Sequence, residues 1–424
     1  MLKIVHAADL HAGRPSSREL DKEKASIRRR EVETSLHTII DLVKQEEANI
    51  LLIAGDLFEH LYTRPSWVKE AALLFASIPK TRVFISPGNH DPALRDSLYR
   101  SIRWPENVTV FTEPEFGEAV LEDMGVAIYG YGWTGFSERE RVVRRFRCPR
   151  QDLFSILLIH GDLLAGNEIS AGQEEATGKG DYGVLAGKVD SPVENPRQSS
   201  EYLPILLEDL RKTQVDYVAL GHIHAPMDFQ VGKTRVVYPG CPEPLDFGDR
   251  GRRGVYLITV ECSSNGGRGS PRRSKAEFIP IAKRKMRVAE VDITGLETYE
   301  QVKKAVLSLG DRGERAQDLW AVTLKGRIDP ELELDLSALE REISPEFFFV
   351  KLIPDYVPDY DLEALKDPGN QSLEARFVRH LLDMKAQAVR VGDERGARVA
   401  ELAMYYGLDA LRHGEVLLRR SRSD

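Results

Sequence analysis

Five short polar clusters hold five of the chain's ten histidines. They read Asp9-Leu10-His11, Gly55-Asp56, Gly88-Asn89-His90-Asp91, His160-Gly161 and Gly221-His222-Ile223-His224. Imidazole and carboxylate together suit first-row divalent cations such as manganese, iron or zinc. The alternating pairs Asp9/His11 and His222/His224 would point the same way from extended backbone. Taken singly, each cluster is commonplace. A Gly-Asp pair after a strand is usually a turn, and a lone buried histidine is usually a satisfied core residue. Their joint occurrence is what points to a metal centre.

Each cluster directly follows an apolar run, which reads as a strand. The runs are Leu2–Ala8, Asn49–Ala54, Arg82–Ser86, Leu153–Ile159 and Asp216–Leu220. Residues 19–47 and Pro65–Ile78 have helical spacing, so the first half alternates strand and helix. That order implies a parallel sheet with crossover helices. Open α/β sheets bind ligands beyond the carboxyl ends of their strands, so five distant turns can converge on one site.

Short strands are expected at 107–111, 117–121 and 125–131, and a hairpin turning at Gly232-Lys233 within 227–261. The Gly-, Ser- and Glu-rich stretch 161–200 reads as a long loop, and 263–275 as a basic low-complexity segment. A boundary is expected near Lys283–Lys285, which separates a core over 1–283 from an α+β domain over 284–357. Pro354, Pro358 and the acidic run Asp359–Asp361 suggest a linker, leading into a helical tail over 358–424. In the tail, Val399, Leu402, Ala403 and Tyr406 follow helical spacing and form one apolar stripe, either core packing or a docking face.

The chain has 424 residues, 42% of them hydrophobic and 30% charged, ordinary for a globular protein of two or three domains. Cys148, Cys241 and Cys262 lie far apart, which argues against a disulfide framework or a thiolate metal site and favours a reducing, cytoplasmic compartment. The N-terminal apolar run is broken by His6 and Asp9, so no signal peptide is expected, and no run reaches the ~18 apolar residues of a membrane span. The net charge of −8 excludes a DNA-coating protein recognised by bulk charge alone.

The five clusters, in this order, resemble the signature of the calcineurin-like metallophosphoesterases, and they span residues 9–224. The resemblance implies a four-layer α/β/β/α sandwich with two divalent metal ions. Asp9, His11, Asp56 and His224 would hold the first, and Asp56, Asn89, His160 and His222 the second, with Asp56 bridging. Such paired cations serve in-line displacement at phosphorus. His90 would then act on the scissile phosphate or the leaving oxygen. Asp91 could orient His90, or equally could serve as a turn or helix cap before Pro92.

Within that family the chain resembles the SbcD-like group of DNA repair exonucleases, particularly its YhaO-type branch. The segments carrying this are Ile4–His11, Ile53–Phe58, Ala219–His224 and Tyr406–Leu411. The resemblance implies a manganese-dependent 3′-5′ exonuclease acting on DNA ends, with single-strand endonuclease action. It also implies a homodimer whose C-terminal helices dock on an SbcC-like SMC-type ATPase. One departure is Glu59 with His60 beside it, where some relatives carry a histidine three residues after the bridging aspartate. Arg144, Arg145 and Arg252 are candidate DNA contacts drawn from two basic runs, each of them individually as well explained as a solvated face. Trp133 and Phe136 would stack on bases or pack in the sandwich. Two other readings are a small-molecule phosphodiesterase or phosphatase of the same fold, which fits the net charge, and a catalytically weak scaffold subunit.

Overall fold

The structure, a computed structural model, describes residues 1–17, 19–164, 200–261 and 273–414. Most of the expected 161–200 loop and of the 263–275 segment lies outside the described residues, as does Cys262. Two compact units divide at Lys283/Arg284.

In the first unit the strands are β1 (Leu2–Ala7), β2 (Ile50–Ala54), β3 (Arg82–Ser86), β4 (Val108–Val110), β5 (Phe116–Leu121), β6 (Val126–Tyr131) and β7 (Phe154–His160). They continue with β8 (Asp162–Leu164), β9 (Pro204–Leu206), β10 (Tyr217–Gly221), β11 (Met227–Val231), β12 (Thr234–Tyr238), β13 (Gly254–Glu261) and β14 (Arg273–Pro280). Among the described residues they build two six-stranded sheets, ordered β14-β13-β1-β2-β3-β4 and β11-β12-β10-β7-β6-β5, and a small β8-β9 pair. The β1-β2-β3 and β6-β7-β10 pairings are parallel, as the strand–helix alternation required.

The central strands are apolar on both faces because both faces are covered. Ile4, Leu52 and Phe84 face Ile128, Ile156, Leu158 and Ala219 across the inter-sheet core. On the outside of the first sheet, Val5, Leu51 and Ile53 pack on Leu36, Ile39 and Val43 of the helix Lys22–Gln45 and on Val68 and Phe75 of the helix Pro65–Ala76. On the outside of the second, Leu157, Ile159 and Val218 meet Leu210 of the helix Leu207–Thr213. This is the expected α/β/β/α sandwich, and each of these fully buried Leu, Ile or Phe side chains contributes about 1.5–3 kcal/mol. One polar pair crosses the inter-sheet core: His6 Nδ1 lies 2.9 Å from the Tyr217 hydroxyl. Burial pushes His6 down to about 3, so it is neutral there.

The second unit holds β15 (Met286–Asp292), β16 (Leu319–Ile328) and β17 (Phe349–Pro358) in one parallel sheet with β16 central. The helices Tyr299–Leu307 and Leu336–Ile343 cover it through Val302, Val306, Leu339 and Ile343. The expected linker is partly displaced, because Pro354 and Pro358 lie inside β17. That strand pairs only with β16, so a proline's missing N–H is tolerated at its open edge.

The tail folds as two helices, Leu373–Arg390 and Glu394–His413. They break at Gly392, whose φ of 74° is left-handed, and the second is capped by the Asp393 carboxylate on Gly396 N–H. The expected apolar stripe is not the packed one. Val399 is exposed, while Ala397, Ala400, Met404, Tyr405 and Leu408 are buried. Small Ala397 and Ala400 let the helices approach, and Tyr360 donates to buried Asp409, which turns that neighbouring face inward. Among the described residues no helix is long and apolar enough to cross a membrane.

Candidate metal centre

β1, β2, β3, β7 and β10 all end at the same edge of the sandwich, and each ends in one of the polar clusters. Four ligand candidates turn there in left-handed backbone: Asp9 (φ 54°), His11 (49°), Asp56 (51°) and His222 (105°). Each such non-glycine residue costs about 1–2 kcal/mol, and their clustering marks a site whose geometry outranks local comfort. The turns are tied together by Asp9 N–H to Gly55 O (3.1 Å), His11 N–H to Asp56 O (2.8 Å) and Gly161 N–H to Gly221 O (3.1 Å). Gly221 brings the two sheets into contact at this edge, since a Cβ there would overlap the Ala54 carbonyl oxygen.

All seven candidate ligands converge. His11 Nε2 lies 3.2 Å from His224 Nε2 and 3.5 Å from Asp56 Oδ2. His160 Nε2 lies 2.9 Å from Asn89 Oδ1 and 3.4 Å from Asp56 Oδ2. Asp9 accepts from His222 N–H at 3.0 Å and joins both groupings, Asp9–His11–His224 and Asp9–Asp56–His160. The His222 ring packs edge-on against His160, with centroids 5.4 Å apart, and exposed Tyr202 leans on its other side. Asp56 Oδ2 thus lies within 3.5 Å of a ring nitrogen in each grouping, His11 Nε2 and His160 Nε2.

The donor set fits divalent cations. Glu59 binds His11 Nδ1 at 2.9 Å and Asp249 binds His224 Nδ1 at 3.1 Å. A carboxylate on Nδ1 fixes the proton there and turns the Nε2 lone pair inward. With both Nδ1 protons so held, the two Nε2 lone pairs 3.2 Å apart are placed to share a cation or a proton. Asp9, Asp56, Glu59, Asp91 and Asp249 are all buried around the centre, a density of negative charge that burial penalises without compensation. Burial alone would raise Asp56, but the His160 ring beside it outweighs that and holds the carboxyl far below its usual range. In turn, burial would lower His160, while Asp56 and Asp9 push it up to about 9. Burial and the neighbouring His160 push His222 down to about 3, which leaves it a neutral donor.

His90 stands apart from the ligands. Its backbone N–H donates to Asp56 Oδ1 (2.8 Å), its ring packs edge-on against His11, and its side chain is 42% exposed. Its Nδ1 donates to Glu59 Oε2 at 2.9 Å, which raises its pKa above the usual histidine value. One carboxylate therefore holds both His11 and His90.

Of the two expectations for Asp91, orienting His90 or serving in the turn, the hydrogen bonds favour the turn, and no bond from Asp91 to His90 is present among the described residues. Its buried carboxylate accepts from Gly88 N–H (2.6 Å), Asp56 N–H (3.1 Å), Leu57 N–H (2.7 Å) and the Tyr99 hydroxyl (2.6 Å). Asp91 thus holds the Gly55–Asp56 turn against the Gly88–Asn89 turn. Glu59 and Asp249, the orienting carboxylates, were missed by motif reading. Glu59 was visible only as a departure from a histidine, and Asp249 sits 25 residues beyond His224 with no local pattern.

The candidate DNA contacts fare less well. Arg145 pairs with Glu140 at 2.8 Å, and three neighbouring arginines are also matched: Arg139 with Glu201, Arg141 with Glu208 and Asp209, Arg150 with Glu122 and Asp152. Arg150 precedes β7, at the sheet end opposite the centre. Arg144 is exposed, and Arg252 lies over the Phe278 ring, 5.3 Å from its centroid. Trp133 is buried and donates its indole N–H to His160 O at 2.8 Å, so it packs rather than stacks on bases. Phe136 is exposed.

Residues 2–226 match the family model of the calcineurin-like phosphoesterases, more than half of the chain. The chain is 28% identical over 269 residues to the uncharacterized metallophosphoesterase YhaO of Bacillus subtilis, covering 61% of this chain and 57% of that protein. It is 24% identical over 271 residues to the DNA double-strand break repair protein Mre11 of Methanopyrus kandleri, covering 61% of this chain and 54% of that protein. The matched stretch thus spans just over half the length of these relatives. Among solved structures, TT1561 of Thermus thermophilus aligns with a TM-score of 0.34 at 10% identity, over 57% of this chain and 89% of that one. With the sandwich, the converging ligand turns and the family match in agreement, the chain belongs to the calcineurin-like phosphoesterase family.

Proposed function

We propose that the chain is a binuclear-metal DNA phosphodiesterase, a manganese-dependent 3′-5′ exonuclease acting on DNA ends in repair. The observation that carries the reading is the division of labour at the centre. Seven ligand candidates converge in a mostly buried cluster, while His90, held by Glu59, is half-exposed beside them. The similarity to an Mre11 repair protein supports DNA as the substrate class.

Paired divalent cations, when bound, neutralise the phosphoryl oxygens and activate water. The protein's own part is to fix geometry and move a proton. Glu59 and Asp249 lock the tautomers of His11 and His224. Glu59 also keeps His90 protonated at Nδ1, and leaves its other ring nitrogen to meet a phosphate oxygen or to hand a proton to the leaving oxygen. Asp91 keeps the Asp56 and Asn89 turns in register.

We further propose that the tail hairpin docks on an SMC-type ATPase in an assembly with two copies of this chain. Leu373, Met384, Val389, Val399 and Leu411 leave large apolar side chains exposed on its two helices, and Val391 does so between them.

A second reading, a small-molecule phosphodiesterase of the same fold, is favoured by one observation: most of the basic run is already neutralised by acidic partners. The deciding experiment is digestion of end-labelled duplex with manganese by wild type, His90→Ala and Asp56→Ala. DNA shortening by wild type and its loss in both variants supports the nuclease. Hydrolysis of an aryl phosphodiester without any action on DNA supports the second reading.

A further inference from the structure

Beside the centre, three large side chains are held in solvent. Leu61 is 74% exposed, Tyr62 59% and Phe136 49%. His60, next in sequence to Leu61, packs edge-on against Phe136 with ring centroids 5.9 Å apart at 66°. Single exposed apolar residues are ordinary, but two adjacent ones beside a His60–Phe136 ring pair and a polar site mark binding.

The loop that carries them is not slack. Glu59 N–H donates to Ala12 O (2.9 Å), and Tyr62 and Thr63 N–H return to Glu59 O (3.1 and 2.9 Å). The Thr63 hydroxyl donates to Ala12 O at 2.6 Å. His60 N–H donates to His90 O at 2.9 Å, which ties the loop directly to the residue facing substrate. The turn is pinned at both ends, so its apolar tips are displayed rather than collapsed. Phe136 arrives from the second sheet, just after Trp133, whose indole is fixed on His160 O. Contributions from both sheets therefore meet at this place.

We propose that His60, Leu61, Tyr62 and Phe136 form a stacking platform for unpaired bases of the strand whose phosphodiester is held at the centre. The inference rests on the DNA phosphodiesterase reading and specifies its substrate as an end with unstacked bases. Chemistry favours that occupant. None of the four side chains is a lysine or arginine, so the platform has no fixed cation for phosphates. Rings and aliphatic surface grip the flat face that every base carries, which makes recognition sequence-tolerant. The platform begins one residue from Glu59, the carboxylate that holds His90, so a base flanking the reacting phosphate is within its reach.

The test compares KM for a single-stranded oligonucleotide with KM for the same strand made abasic at its two terminal nucleotides, using the full-length chain loaded with manganese. In wild type the abasic strand should have a KM roughly five- to a hundredfold higher, the range that stacking of a base spans. In Phe136→Ala, and in Leu61→Ser combined with Tyr62→Ser, that ratio should fall towards one. Thermal melting at the wild-type temperature verifies folding of these surface variants. A ratio of one in wild type, or an unchanged ratio in both variants, overturns the platform. If wild type cleaves an aryl phosphodiester but no oligonucleotide, the DNA reading itself fails and takes the platform with it.

Discussion

His11 and His224 present their Nε2 atoms to each other across 3.2 Å, each ring anchored at Nδ1 by a carboxylate. Neither ring can turn away without breaking its bond to Glu59 or Asp249. The arrangement suits a cation between the two nitrogens, and it predicts that metal binding is also folding energy. Addition of manganese at a hundredfold excess over Kd should stabilise the protein by about 2.7 kcal/mol per site, read as a rise in Tm. Metal analysis should give about two ions per chain in wild type and about one in His224→Ala. Equal metal content in the two proteins would remove His224 from the ligand set.

Metal-free protein should show a pH dependence that metal abolishes. Asp56 and Asp9 overcome burial and hold the His160 proton up to about 9. A group whose pKa rises on folding stabilises below its unfolded value, near 6.5, and loses that contribution as pH climbs through the folded one. The Tm of the metal-free protein should therefore fall between pH 6.5 and 9, by an amount worth roughly 3 kcal/mol at most. Metal binding at pH 7.5 should release this proton, measurable by calorimetry in buffers of different ionisation enthalpy. A metal-free Tm that is flat over this window, with no proton release, refutes the assignment.

Glu59 holds both His11 and His90 at 2.9 Å, so its substitution separates orientation from ligation. Glu59→Gln keeps the shape but loses the charge. Hydrogen bonding to Glu59 is the main cause of the raised His90 pKa. In the variant the His90 titration should move to lower pH, visible by NMR in the metal-free protein, and the alkaline limb of the kcat profile should follow it. Turnover should drop about 10–100-fold, the usual loss when an orienting partner is removed. His90→Asn should lose more, about 10²–10⁴-fold, with metal content intact. A Glu59→Gln enzyme with an unshifted profile would place the control of His90 elsewhere.

The strands and the ligand turns were legible because both are written locally. Each of the five turns follows a short, largely apolar run, the pattern of a strand covered on both faces. What the chain does not write locally is which carboxylate meets which histidine. Asp91 neighbours His90 in sequence, yet its side chain turns back to the Gly55–Asp56 loop, and Glu59, from another turn, takes the histidine. The tail shows the same limit. Val399, Leu402, Ala403 and Tyr406 have correct helical spacing, but the neighbouring face, with Ala397 and Ala400, packs closer against the partner helix. In the second unit Pro354 looked like a linker, because sequence does not reveal that its strand lies at a sheet edge.

Asp91 makes the strongest distinction between a catalytic and a positioning carboxylate. It accepts five hydrogen bonds, four from backbone N–H groups and one from the Tyr99 hydroxyl, and none from His90. Asp91→Asn turns an acceptor-only group into one with two N–H donors, so at least one backbone N–H loses its partner inside the protein. That should lower stability by about 1–3 kcal/mol. The Asp56 and Asn89 turns would lose register, so metal content should fall, while the His90 titration in metal-free protein should move down far less than in Glu59→Gln, since only the minor pull of the Asp91 charge is lost. Tyr99→Phe removes one of the five bonds and should cost about 1 kcal/mol with both metals retained. If Asp91→Asn instead shifted the His90 titration as far as Glu59→Gln does and spared metal binding, Asp91 would orient that histidine after all.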